Sequence, residues 1–161
     1  MQAAVNQFLP FLDGKKQFMI PIYQRTYSWT HEQCEQLWND IIQTAINEQA
    51  GGHFIGSIVY IQQGQTVIAN IPQYLVIDGQ QRLTTLSLLL VALSQKISRE
   101  DIYDSYLINK HGENEQRYKL LLTQGDKEAL IQIVEHPERV ASAKTTNRLV
   151  ENYLYFEERI R

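Results

Sequence analysis

Val76-Ile77-Asp78-Gly79-Gln80-Gln81-Arg82-Leu83-Thr84-Thr85 carries an apolar strand into a polar glycine turn and straight on into a Leu-rich helical segment. That order puts backbone N–H groups, one arginine and two hydroxyls at a helix N-terminus. Such an end is electropositive and has free donors, so it suits an anion, above all a phosphate. The planar fork of Arg82 matches a phosphate, and Thr84 and Thr85 can donate to phosphate oxygens or to a metal-bound water. Asp78 is the one carboxylate at the turn and could hold a metal or a water. A plain strand-to-helix corner, with Asp78 capping and Gly79 at positive φ, explains those two residues only. The glutamines, the arginine and the threonines exceed what a corner needs. The turn has no lysine and no GxxxxGK[ST] pattern, so it is not a Walker loop.

Outward from the turn, the pattern predicts short strands interspersed with helices. Ala3–Leu12 reads as a short helix and Gln17–Ile20 as a short strand stopped at Pro21. Thr30 and Gln33 form a capping box for a helix whose Cys34, Leu37, Trp38, Ile41, Ile42, Ala45 and Ile46 share one face. Phe54–Ile61 reads as a strand interrupted at Gly56. A turn at Gln62–Gln65 returns Thr66–Ala69 antiparallel, and Tyr74–Ile77 is a third strand. Leu83–Ser98 is apolar around most of its circumference and should be buried. Composition then shifts, which divides the chain into a core over 1–99 and a mostly helical extension over 100–161. In that extension Asp101–Ile108 and Asp126–Glu135 read as helices, and Tyr118–Leu122 as a strand or a helix turn. Ser142–Arg161 has helical spacing through Leu149, Tyr153, Phe156 and Ile160. It ends without a cap, so the full-length protein is expected to continue.

Composition bounds the function classes. The 161 residues suffice for one domain with a real core, and 43% hydrophobic with 20% charged is ordinary for a soluble protein. The longest apolar run, Leu88–Leu93, is too short to span a bilayer, so no membrane partner is expected. A single cysteine, Cys34, fits the cytoplasm and reads as a core residue rather than a nucleophile. A net charge of −3 does not suggest a DNA-coating surface.

Two further segments carry chemistry. Tyr23-Gln24-Arg25-Thr26-Tyr27-Ser28-Trp29 gathers three aromatics about an arginine. It reads equally as an edge whose rings pack on the core, or as a platform that stacks a base while Arg25 meets a phosphate or carboxylate. In His53-Phe54-Ile55-Gly56-Ser57-Ile58, Gly56 marks a bulge or a close backbone approach, and Ser57 could line a pocket. His53 has no ligand partner at metal spacing and reads as structural. Asp40, beside the apolar face of its helix, reads as solvated. GxSxG, HExxH and CxxC patterns are absent.

Ile20-Pro21-x-Tyr23-Gln24-Arg25-x-Tyr27-x-Trp29, His53-Phe54-x-Gly56-Ser57-Ile58 and Ile77–Thr85 together resemble, in order, the N-terminal domain of GmrSD-type, modification-dependent restriction endonucleases. The resemblance implies an α+β, ParB/sulfiredoxin-like fold, a small mixed sheet with packed helices followed by a mostly helical segment, and a turn that binds nucleotide phosphates. It implies binding and hydrolysis of an NTP with Mg²⁺, with GTP, ATP, CTP and UTP not distinguished, to regulate a phage-defence nuclease. By that carry-over Gly79, Gln80, Gln81 and Arg82 hold the phosphates, and Asp78 orients water or Mg²⁺. Gln24 and Arg25 face the same pocket. Asp78, Gln81 and Arg82 form the catalytic set, and Tyr23, Tyr27, His53 and Ser57 are pocket-lining or stacking candidates. A sulfiredoxin-like activity is disfavoured, since no cysteine accompanies the turn. The His-Asn-His-type nuclease domain common in such proteins does not fit here, so DNA is expected as a partner through the full-length protein or a partner nuclease. The alternative is a DNA-binding module that senses modified bases without hydrolysis.

Overall fold

The computed structural model describes residues 3–47, 49, 51–63, 71–142 and 147–160. The element order is α1 (Phe8–Leu12), β1 (Gln17–Met19), α2 (His31–Ile46), β2 (Val59–Gln62), β3 (Gln73–Asp78), α3 (Gln80–Lys96), α4 (Glu100–Tyr106), a 3₁₀ turn (Asn114–Arg117), β4 (Leu120–Leu121), α5 (Gln124–Glu135), α6 (Pro137–Val140) and α7 (Arg148–Arg159). The four strands lie in the order β2-β3-β1-β4. Strand β1 runs parallel to both β3 and β4, with Phe18 opposite Tyr74 and Leu120, while β2 is antiparallel to β3. This small mixed sheet with packed helices is the α+β arrangement expected.

Helix α3 is the central element. Leu83, Leu88, Val91 and Ala92 are fully buried, and Leu149, Tyr153 and Phe156 of α7 pack in the same core. The polar residues of α3 survive burial by bonding their own helix. Thr84, Thr85 and Ser87 each donate to the carbonyl four residues back, and Ser94 to that of Val91. Strand β4, from beyond Arg99, completes the sheet against β1, so residues on both sides of Arg99 share one core.

Two expected element starts move, each for a local reason. Helix α1 starts only at Phe8: a helix from Ala3 would place Pro10 in its interior, where it removes a hydrogen bond. Strand β2 starts only at Val59, because Gly56 leaves extended backbone at φ +106°. The helix read over Asp126–Glu135 does end at Glu135, before Pro137, and Pro137 then opens the separate short α6 at its first position. Helix α2 has the expected reciprocal contact, Thr30 N–H to Gln33 Oε1 at 2.7 Å. Its buried face is shorter than the spacing predicts: Cys34 and Leu37 are buried, but Ile46 is 70% exposed. The contacts of α2 with α7 are at its first turns, where Arg159 pairs with Glu35 and Trp38 meets Phe156. The expected strand Thr66–Ala69 lies outside the described residues. Among the described residues, no helix is long and apolar enough to cross a membrane.

Candidate functional site

Parallel strands β1 and β3 end side by side, and ligands of open α/β sheets bind beyond such carboxyl ends. From β1 the chain passes through buried Ile20 and Pro21 into segment 22–29, which crosses the start of α3. From β3 it passes through Asp78 and Gly79 into α3 itself. Gly79 has φ +89°, and a Cβ there would stand 2.7 Å from the Ser57 carbonyl oxygen. Only glycine accepts both that conformation and that approach.

The inward face of the turn is a backbone clamp. Segment 22–29 is irregular, so its peptide groups need partners that no strand supplies. Side-chain amides supply them, having both donor and acceptor. Gln24 Nε2 donates to Ile77 O at 3.0 Å. Gln80 Nε2 donates to Arg25 O at 3.2 Å. Gln81 Nε2 donates to Thr26 O at 3.2 Å, and its Oε1 accepts from Ser28 N at 2.8 Å and Trp29 N at 3.2 Å. Tyr27 N–H donates to Asp126 Oδ2 at 2.7 Å.

A buried chain of donors then ties α7 to the turn. Asn152 Nδ2 donates to Tyr27 Oη at 2.9 Å and to Trp29 O at 2.8 Å. Tyr27 Oη lies 2.6 Å from Thr85 Oγ1, whose own proton goes to Gln81 O at 2.7 Å, so the tyrosine donates. Burial pushes the Tyr27 hydroxyl far above its ordinary range and Cys34 beside it up to about 11, so both stay protonated.

These contacts reassign several residues. Tyr27, 8% exposed, is a core hydrogen-bonding residue and not a stacking surface. Thr84 and Thr85 are buried and direct their protons into α3, away from any ligand. The amides of Gln80 and Gln81 grip the loop rather than face outward. The void between them, lined by Ile20, Gln80, Thr123 and Asp126 among others, holds about 10 Å³, the space of one water and far short of a nucleotide.

The outward face is different. Gly79 N–H donates to Asp78 Oδ1 at 2.9 Å, and the first helical bond is Leu83 N–H to Gly79 O. Between them, the N–H groups of Gln80, Gln81 and Arg82 have no acceptor among the described residues. No side chain caps this 17-residue helix, and no acid lies in its first turn. Arg82 spans the opening: Nη1 donates to Ser57 O at 3.0 Å, and the guanidinium lies where a Cβ on Gly56 would be, 2.4 Å from Cζ. The exposed carboxylate of Asp78 lies at the same edge, and Arg25, also exposed, lines the mouth of the small void on the inward side. On either side stand exposed rings, Tyr23 (73%) next to Gln24 and Phe54 (77%) two residues from Gly56.

His53 lies elsewhere, with Nε2 3.7 Å from Asp40 Oδ2 on α2, a carboxylate partner that local spacing did not reveal. Among the described residues, no three His, Cys, Asp or Glu side chains gather to hold a metal. Asp126 and Asn152 are the contributors that sequence reasoning missed. Both act from beyond Arg99, and only their distance-independent chemistry as capping-type side chains hinted at them.

A family model for the GmrSD restriction endonuclease, N-terminal domain, matches residues 8–160. A search of curated proteins gives no match. The chain belongs to this family, and its role is therefore associated with restriction endonucleases and phage defence.

Proposed function

We propose that the outward face of the Asp78–Arg82 turn binds the phosphates of a nucleoside triphosphate with Mg²⁺, and that hydrolysis of this nucleotide regulates a restriction nuclease. One observation carries the reading: among the described residues, three unspent N–H groups at the start of α3 stand beside a guanidinium with one of its five N–H donors in use.

In this reading the helix end and Arg82 neutralise charge on the transferred phosphoryl group, and Arg25 adds a second cation. Asp78 has one oxygen on Gly79 N–H, which leaves the other for a water or for Mg²⁺. Magnesium in such sites takes one or two carboxylates plus phosphate oxygens, so a lone aspartate fits. The water oxygen bonds to the terminal phosphorus, the bond from that phosphorus to the bridging oxygen breaks, the nucleoside diphosphate leaves with the bonding pair, and the water's proton stays with the inorganic phosphate released. Gln81 contributes by fixing segment 22–29, as a positioning residue. Tyr23 and Phe54 supply apolar surface for a base.

The same exposed rings beside two arginines support a second reading, a DNA-binding module that tests for modified bases. Calorimetric titration of the four common NTPs with Mg²⁺, against the protein and Arg82→Ala, separates the two. The first reading expects saturable binding, weakened roughly tenfold or more (about 1.4 kcal/mol) in the folded variant. Absence of NTP binding, together with DNA binding that falls steeply with salt, would move the second reading to the front.

A further inference from the structure

Where the parallel strands begin, at the end of the sheet opposite the turn, the protein buries a cation. Lys119, the residue before β4, is 3% exposed and is the only buried lysine or arginine among the described residues. Its backbone is fixed by the sheet: N–H donates to Leu107 O at 3.2 Å, and its carbonyl accepts from Phe18 N at 2.6 Å. Its ammonium donates to the carbonyls of Leu12, at 2.9 Å, and Gly14. An ammonium has three N–H groups, and the third has no acceptor among the described residues. No carboxylate there pairs with it. A buried cation without a counter-charge is costly. Burial accordingly pushes Lys119 down to about 8, with Lys16 acting in the same direction and Asp13 opposing.

Lys119 lines a cavity of about 250 Å³ together with Lys15, Lys110 and His111. Two acids line it too. Asp104 is engaged by Lys110 at 3.6 Å, and Asp13 accepts from Gly14 N–H at 2.8 Å. Lys15 and His111 have no side-chain partner among the described residues. Holding the turn after α1 explains two of the N–H groups of Lys119. It does not explain two further lysines and an imidazole around an open, small-molecule-sized space.

We propose that this cavity is a second anion site that takes a phosphate-type oxyanion, with the Lys119 ammonium as its anchoring donor and Lys15 and His111 at its rim. The near-complete burial of Lys119 selects the ligand class: free phosphate or the phosphoryl end of a mononucleotide can enter, while the backbone of a polymer cannot reach it.

The test is titration of the Lys119 ε-carbon signal by NMR. Sodium phosphate and adenosine monophosphate are added in turn at constant ionic strength, to wild type and to Arg82→Ala. Both proteins should show saturable shifts at Lys119, and the Lys119 titration midpoint should rise above about 8. Tighter binding of the mononucleotide identifies a nucleotide source, and equal binding identifies phosphate itself. Lys119→Met, read instead through the phosphate-induced shifts of the Lys15 and His111 side-chain signals, should abolish saturable binding. Should that variant unfold, Lys15→Ala/His111→Ala leaves the buried tether intact and should weaken binding roughly tenfold. A Lys119 signal that responds to phosphate no more than to sodium chloride, or an unchanged affinity in the rim variant, would overturn the proposal.

Discussion

The inward and outward faces of the Asp78–Arg82 turn share five consecutive residues and do opposite things with their polar groups. On the inward face every amide of Gln81 is spent on the backbone of segment 22–29. On the outward face the peptide N–H groups of Gln80, Gln81 and Arg82 are spent on nothing among the described residues. The glutamines look like ligand-binding groups and are the glue, while the anonymous backbone beneath them is the open donor set. A polar cluster at a helix start is therefore two devices, one for stability and one for binding, and substitutions should separate them.

The largest effect is expected on the inward face. Gln81→Ala leaves Ser28 and Trp29 N–H without an acceptor and Thr26 O without a donor, and should cost about 2–4 kcal/mol in denaturant unfolding. Gly79→Ala meets both a positive φ and the Ser57 carbonyl, and should cost about 1–3 kcal/mol by the same measurement. Asn152→Ala removes two bonds that link α7 to segment 22–29, and should cost roughly 1–2 kcal/mol. A loss of ligand affinity in this variant beyond that of the loop's own disorder would mean that α7 senses the site. Arg82→Ala, on the outward face, should change stability by no more than about 0.5 kcal/mol while weakening nucleotide binding roughly tenfold or more. If Arg82→Ala unfolded the protein and Gln81→Ala did not, the division of labour would be reversed.

The sheet's other end offers a pH contrast. The folded protein releases the Lys119 proton at about 8, and the unfolded chain near the ordinary 10.5. Between those values the unfolded state binds more protons, so this site's contribution to stability rises with pH across the window. Tyr118 and Tyr153, pushed up to about 12 by burial, act with the opposite sign, from 10 upward, and Cys34 does so from about 9. Wild type should therefore gain on Lys119→Met between pH 8 and 9, read from paired urea midpoints. A constant difference would contradict the buried cation.

What was legible in the sequence follows from range. Helix α3, the strand before it and the glycine turn are short-range patterns, and each lies where Val76–Thr85 suggests. The face of α7 was visible in the spacing of Leu149, Tyr153 and Phe156, all of them buried. The use of Gln80 and Gln81 was not visible, because their partners lie more than fifty residues away and are peptide groups, which every sequence contains. Gly56 was read as a close approach, and the group that approaches is the guanidinium of Arg82, not a ligand. Tyr27 could have been a platform or a core ring, and its bonds to the Thr85 hydroxyl and the Asn152 amide place it in the core through contacts made far along the chain.

The most direct test of the two-faced turn is an amide NMR titration of the ¹⁵N-labelled protein with an NTP and Mg²⁺. The account predicts that the backbone N–H signals of Gln80, Gln81 and Arg82 shift downfield and saturate together, while the side-chain NH₂ signals of Gln80 and Gln81 stay where they are. Movement of the side-chain amides with static backbone signals would contradict it, since the glutamines would then leave the loop to hold the ligand themselves.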